Sequence, residues 1–169
     1  PRKPPIPPMP FPPATWNINS VRLREPLVLK LLAEHGPDVL CLQECKSPVD
    51  KIPVEAFKAA GYTHMVARGQ KGYNGVAILS KLPLEDVTRG LPGDDEDDQA
   101  RWIEATVVGD DMALRVCGLY LPNGNPVPGP KYDYKLAWME RLHARAQQLM
   151  SDEMPALMAG DYNIIPQAE

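Results

Sequence analysis

The chain has 169 residues, 44% of them hydrophobic, which is enough for one domain with a sizeable core and too few for two of ordinary size. Its formal net charge of −4 supplies no overall basic field, so a polyanion would have to be met by a local patch or with the help of a cation. Cys41, Cys45 and Cys117 are odd in number and two lie in apolar strand-like runs, which fits reduced thiols in a cytoplasmic setting rather than a disulfide framework or a zinc cluster. No apolar run approaches the ~18 residues of a membrane span, and no secretory signal pattern is present.

Residues 1–13 hold eight of the chain's 20 prolines and are expected to form an extended, disordered leader. Pro4, Pro7 and Pro10 satisfy the spacing of a proline-module ligand, the alternative meaning of that stretch. Folded sequence is expected from residue 14, where Ala14 to Asn19 alternates apolar and polar residues as a strand does. Glu25-Pro26 can open a helix, because proline is harmless in a first turn. Its stripe of Leu27, Val28, Leu31 and Leu32 stops at Gly36-Pro37. Asp38 to Glu44 reads as a strand buried on both faces, joined to the first through that helix and therefore parallel to it.

A short helix is expected over 53–60, a strand over 62–66, and a tight turn at Asn74-Gly75 ahead of the apolar run Val76 to Ser80. Leu84 to Thr88 is expected to pair with that run. Asp94 to Asp98 is an unbroken acidic run, expected to be solvated surface. Arg101 to Val108 and Ala113 to Leu121 read as an antiparallel pair, followed by a long helix from about Tyr132 to Met150 with Met139, Leu142, Ala146 and Leu149 on one face. The last run, Ala156 to Ala159, leads into Gly160-Asp161-Tyr162-Asn163. These elements predict a mixed α/β or α+β sheet domain.

Polar residues gather at the expected strand ends: Asn17, Glu44, Tyr120 with Asn123, and Asp161 with Asn163. Two residues apart at the end of a strand, Asp161 and Asn163 are expected to converge on one spot, with an Asx turn closing the strand as the alternative meaning. Two carboxylates and three carboxamides make an oxygen donor set suited to Mg²⁺ or Mn²⁺, whereas the three histidines follow no soft-metal spacing. Hydrolysis of a phosphodiester needs such a cation together with a group that orients and deprotonates water. Glu44 is the better candidate for the metal and Asp161 for the proton.

Six stretches in order carry a resemblance: Trp16 to Ser20, Leu42 to Lys46, Gly72 to Ala77, Leu91 to Asp95, Tyr120 to Gly124, and Gly160 to Ile164. Together they resemble the successive motifs of the exonuclease III family of DNA-repair nucleases, the AP endonucleases of the endonuclease/exonuclease/phosphatase superfamily. The resemblance implies a four-layer α/β sandwich and Mg²⁺-dependent cleavage of double-stranded DNA at abasic sites and 3′ ends. By matching motif, Glu44, Asn17, Asp161 and Asn163 would form the metal site. Tyr120 would face the scissile phosphate, Asp161 would exchange the proton and Asn163 would stabilise the transition state. Lys46, Tyr73, Asn74, Arg101 and Asn123 would lie along the DNA, positioning phosphates rather than reading bases.

The family pattern continues beyond Gly-Asp-x-Asn with a further Asp and a Ser-Asp-His triplet. None of His35, His64 or His143 follows an Asp. The expectation is therefore a sandwich incomplete at its C-terminal end, a piece of a longer protein with reduced or no activity. A complete protein is expected to be monomeric, while a piece with open sheet edges can self-associate. A phosphoesterase acting on lipid or inositol phosphates, and a binding module that has lost its chemistry, are the alternatives.

Overall fold

A computed structural model describes residues 11–165. The chain runs β1 (Pro13–Asn17), α1 (Glu25–His35), β2 (Val39–Gln43), a 3₁₀ turn (Val49–Lys51), α2 (Val54–Ala59), β3 (His64–Arg68), β4 (Val76–Ser80), β5 (Leu84–Arg89), β6 (Trp102–Val108), β7 (Ala113–Tyr120), α3 (Pro130–Ser151) and β8 (Ala156–Asp161). Two four-stranded sheets result, ordered β1-β2-β4-β3 and β5-β6-β7-β8.

Alternation along the strands builds the layers. In β2, Val39 and Cys41 turn toward the second sheet and meet Ile103, Ala105, Val107 and Val116, while Leu40 and Leu42 turn outward against Val28 and Leu32 of α1 and Phe57 of α2. The second sheet repeats the scheme. Its outer residues Trp102, Cys117 and Leu119 pack against Trp138 and Leu149 of α3. The order from outside to outside is therefore helix, sheet, sheet, helix, the α/β sandwich expected from the motifs.

The β1–α1–β2 crossover gives a parallel pair, and β6 and β7 form the expected antiparallel pair. Expected and observed organisation differ in three places. Leu84–Thr88 does not join β4: β5 pairs with β6 in the other sheet, because both edges of β4 are already occupied by β2 and β3. The strand expected over 62–66 is displaced to 64–68 by its register with β4, and Tyr62 instead donates its hydroxyl to the Pro37 carbonyl. The expected boundary at residue 14 falls inside β1. Phe11 is buried in the inter-sheet core and Pro12 accepts a hydrogen bond from the Asp38 amide, so 11–13 belong to the folded body. The remainder of the proline-rich leader lies outside the described residues.

Candidate active site

Two parallel pairs, β1 with β2 and β7 with β8, end on the same side of the molecule, and β1 lies against β8. Their C-terminal ends bring together residues that are remote in sequence. Asn17 closes β1, Glu44 follows β2, Tyr120 closes β7 and Asp161 closes β8. The Asn17 Nδ2 donates to Glu44 Oε1 at 2.9 Å and to Asp161 Oδ2 at 2.9 Å. Tyr120 donates its hydroxyl to the same Glu44 oxygen at 2.9 Å, and Lys46 Nζ lies 3.1 Å from Glu44 Oε2.

Burial alone would raise the pKa of Glu44. Donation from Asn17, Lys46 and Tyr120 and the charge of Lys46 outweigh it, so the carboxyl is held below its ordinary value. Tyr120 moves the other way. Burial and the hydrogen bond to Glu44 push its phenol up to about 12, so at neutral pH it is a proton donor.

Asp161 and Asn163 do share one place, and the Asx turn is present as well. The Asn163 amide N–H donates to Asp161 Oδ1 at 2.9 Å, while Asn163 Nδ2 donates to the Leu121 carbonyl at 2.8 Å. Both residues line a cleft of about 550 Å³ with Thr15, Asn17, Gln43 and Asn123. The backbone is left-handed at Asn19, Ser20, Glu44, Lys46 and Asn163. Such conformations in residues with a side chain are held only where surrounding contacts impose them. Here they follow β1, β2 and β8, the strands whose ends carry Asn17, Glu44 and Asp161.

The residues expected along DNA are dispersed. Lys46 donates to Asn19 Oδ1 at 2.6 Å, so it is part of the Glu44 cluster. Tyr73 is exposed on the 69–75 loop. Asn74 is only 6% exposed, with its Nδ2 on Gln70 Oε1 and its carbonyl on the Lys46 amide, so it builds that loop from within. Arg101 lies with its Cζ 4.9 Å from the Tyr120 ring centroid. Asn123 accepts the Asn125 amide and borders both the main cleft and a neighbouring pocket of about 350 Å³ lined by Arg101, Lys131 and Tyr134.

Two contributors were not legible in the motifs. Lys135 of α3 donates to the carbonyls of Asn163 and Asn123, tying the loops after β8 and β7 together; nothing in a helical lysine announces such a partner. Asp97 departs from the expected solvated run. Asp94, Asp95, Glu96 and Asp98 are exposed, whereas the Asp97 side chain is 6% exposed and pairs with Arg141 Nη1 at 2.8 Å. A buried carboxylate is retained only when it is charge-compensated and hydrogen-bonded.

Hard oxygen donors at Glu44 and Asp161, joined by the Asn17 amide, are the donor chemistry that suits a divalent cation such as Mg²⁺. Among the described residues no cluster of three or more His, Cys, Asp or Glu side chains forms a metal cage. Such a cation would keep solvent or phosphate oxygens as its remaining ligands.

The model of the Endonuclease/Exonuclease/phosphatase family matches residues 14–169. The chain belongs to this family. Within it, exodeoxyribonuclease III of Haemophilus influenzae is 35% identical over 156 residues, covering 90% of this chain and 57% of that protein, which bears out the resemblance carried by the six motifs. A 3′ phosphatase from Neisseria, solved with a product DNA hairpin, superposes with a TM-score of 0.84 at 42% identity, covering 90% of this chain and 58% of the other. An AP endonuclease from Archaeoglobus fulgidus superposes with a TM-score of 0.82 at 40% identity, covering 90% of this chain and 57% of the other. The chain thus spans 57–58% of the length of these family members. No helix among the described residues is long and apolar enough to cross a membrane.

Proposed function

We propose that this chain carries the cation-holding and proton-transferring part of a phosphodiesterase site that acts on double-stranded DNA at abasic sites or 3′ ends. The observation that carries the reading is the single carboxamide of Asn17 joining Glu44 of one sheet to Asp161 of the other. Relatives whose names specify exodeoxyribonuclease III, a DNA-bound 3′ phosphatase and an AP endonuclease supply the substrate class.

A divalent cation held by Glu44 and Asp161 would polarise the phosphoryl group and stabilise the departing oxygen. The protein's own residues divide the remaining work. Glu44, kept ionised by its three donors, is ready to bind a cation at neutral pH. Tyr120, kept protonated, would turn its one O–H from Glu44 to a phosphate oxygen. Asp161 Oδ2, oriented by Asn17, takes the proton from attacking water. Asn163 holds Asp161 in place through the Asx turn, and its Nδ2 keeps, beside the hydrogen donated to Leu121, a second one for a phosphoryl oxygen. Arg101, Lys131 and Lys135 provide the local positive charge that the overall negative balance lacks.

The test is incision of a duplex containing one abasic site, with Mg²⁺ and with EDTA, by the unaltered chain and by Asp161→Asn, alongside Mn²⁺ binding measured by paramagnetic resonance. Mn²⁺ binding lost in Glu44→Ala, with metal-dependent incision lost in Asp161→Asn, is the expected pattern. Incision that persists in EDTA or in Asp161→Asn overturns the assignment.

A further inference from the structure

We infer that Asp97 is a positioning residue for Tyr120: its buried carboxylate, bound to two side chains of α3, shapes the slot in which Arg101 lies against the Tyr120 ring. The inference rests on the proposed phosphodiesterase reading only in taking Tyr120 to face the substrate. Asp97 receives the Tyr134 hydroxyl at 3.1 Å and 3.0 Å and Arg141 Nη1 at 2.8 Å. Its Oδ1 also accepts the Gln99 amide at 3.1 Å, and its carbonyl accepts Arg68 Nη2 at 2.8 Å. Arg141 reaches on to the carbonyls of Leu91 and Pro92. One residue of the acidic run thereby fastens that loop to both α3 and β3.

Two of the residues bound by Asp97, Gln99 and Tyr134, also contact Arg101. Gln99 Oε1 accepts Arg101 Nε at 2.7 Å, and the Tyr134 ring centroid lies 6.0 Å from the guanidinium carbon. The same guanidinium sits 4.9 Å from the Tyr120 ring and donates to the Tyr120 carbonyl at 3.3 Å. A planar cation held against an aromatic face restricts both partners. The Tyr120 hydroxyl is thus kept on Glu44 at 2.9 Å by a connected sequence of contacts that begins at Asp97. Burial disfavours an ionised Asp97, yet donation from Arg141, Gln99 and Tyr134 holds its carboxyl below the ordinary range, so the anchor is charged at neutral pH.

Asp97→Asn and Tyr134→Phe test this, the second keeping the ring and removing only the hydroxyl. The Arg101 Nε–H resonance, displaced by ring currents from Tyr120 and Tyr134, is expected to move toward the free-arginine position in both variants while the amide spectrum of β6 and β7 is retained. Should Asp97→Asn fail to fold, Tyr134→Phe decides, and an Arg101 resonance unmoved there overturns the inference. In turnover, kcat is expected to fall about tenfold with KM unchanged, and to fall no further when either variant is added to Tyr120→Phe. An equal loss in the Tyr120→Phe background overturns it. Absence of incision by the unaltered chain would count against the phosphodiesterase reading alone, since the resonance still decides the placement of Arg101.

Discussion

The Nδ2 of Asn17 lies 2.9 Å from Oδ2 of Asp161, across 144 residues of sequence and from one sheet to the other. With its second hydrogen on Glu44, this carboxamide separates two carboxylates that would otherwise repel. Asn17→Ala removes the bridge, and a loss of about a hundredfold in kcat/KM on an abasic-site duplex is expected, with KM changed less than kcat. Asn17→Asp adds a third negative charge in the same volume, and here the Glu44 carboxyl carbon resonance is expected to titrate at higher pH than in the unaltered protein.

Acid should unfold the protein through its paired carboxyls. Glu44 and Asp97 both have folded-state pKa values below their ordinary ones. Their contributions are therefore complete above the unfolded values and are lost as pH falls through the folded ones. Urea midpoints are expected to be flat above about pH 5 and to decline below about pH 4. Asp97→Asn should flatten that acid limb; an unchanged limb would mean that Asp97 is not charged in the folded state.

Gly160 precedes Asp161 in β8 and is paired with Leu119 of β7. A Cβ there would meet the Leu119 carbonyl oxygen at 2.0 Å, a contact that requires the backbone to move. Gly160→Ala is expected to lower the urea midpoint and to weaken Mn²⁺ binding together, because the same shift carries Asp161 away from Asn17. A variant with lowered stability and intact Mn²⁺ binding would dissociate the two.

Trp138 anchors α3. It is 1% exposed and meets Trp102 edge to face with ring centroids 6.3 Å apart. Trp138→Ala should cost about 3–5 kcal/mol by equilibrium unfolding. Since α3 also carries Tyr134, Lys135 and Arg141, Arg101 and the loops after β7 and β8 should loosen, visible as faster amide exchange there.

β8 is an edge strand among the described residues, and Met150 and Ile165 nearby are 86% and 92% exposed. An open strand edge beside exposed apolar side chains favours association. The 169-residue chain should show concentration-dependent sedimentation, and a lysine placed at Met158, which points toward α3, should be less effective in suppressing it than one at Ile165.

Much of this protein is determined by the local order of its residues. The period-two alternation of β1, the continuous apolar run of β2, the apolar stripe of α3 and the Gly36-Pro37 stop are properties of short windows, because they depend only on neighbouring residues. Asn17, Glu44, Tyr120 with Asn123, and Asp161 with Asn163 are likewise legible as one group, from their positions at strand ends and within the six motifs. The partnership of β5 was not legible in this way. Whether β5 joins β4 or β6 depends on which edges other strands have already filled: β3 takes one edge of β4, and β2 takes the other by pairing Val39 with Ser80, 41 positions away. Burial of Asp97 within an exposed acidic run, and the placement of Arg101 against tyrosines from both β7 and α3, were decided by tertiary structure alone. Charge pairing and ring stacking act between side chains that only the packed sheets and helix bring within a few ångströms, and the sequence carries no local periodicity that records them.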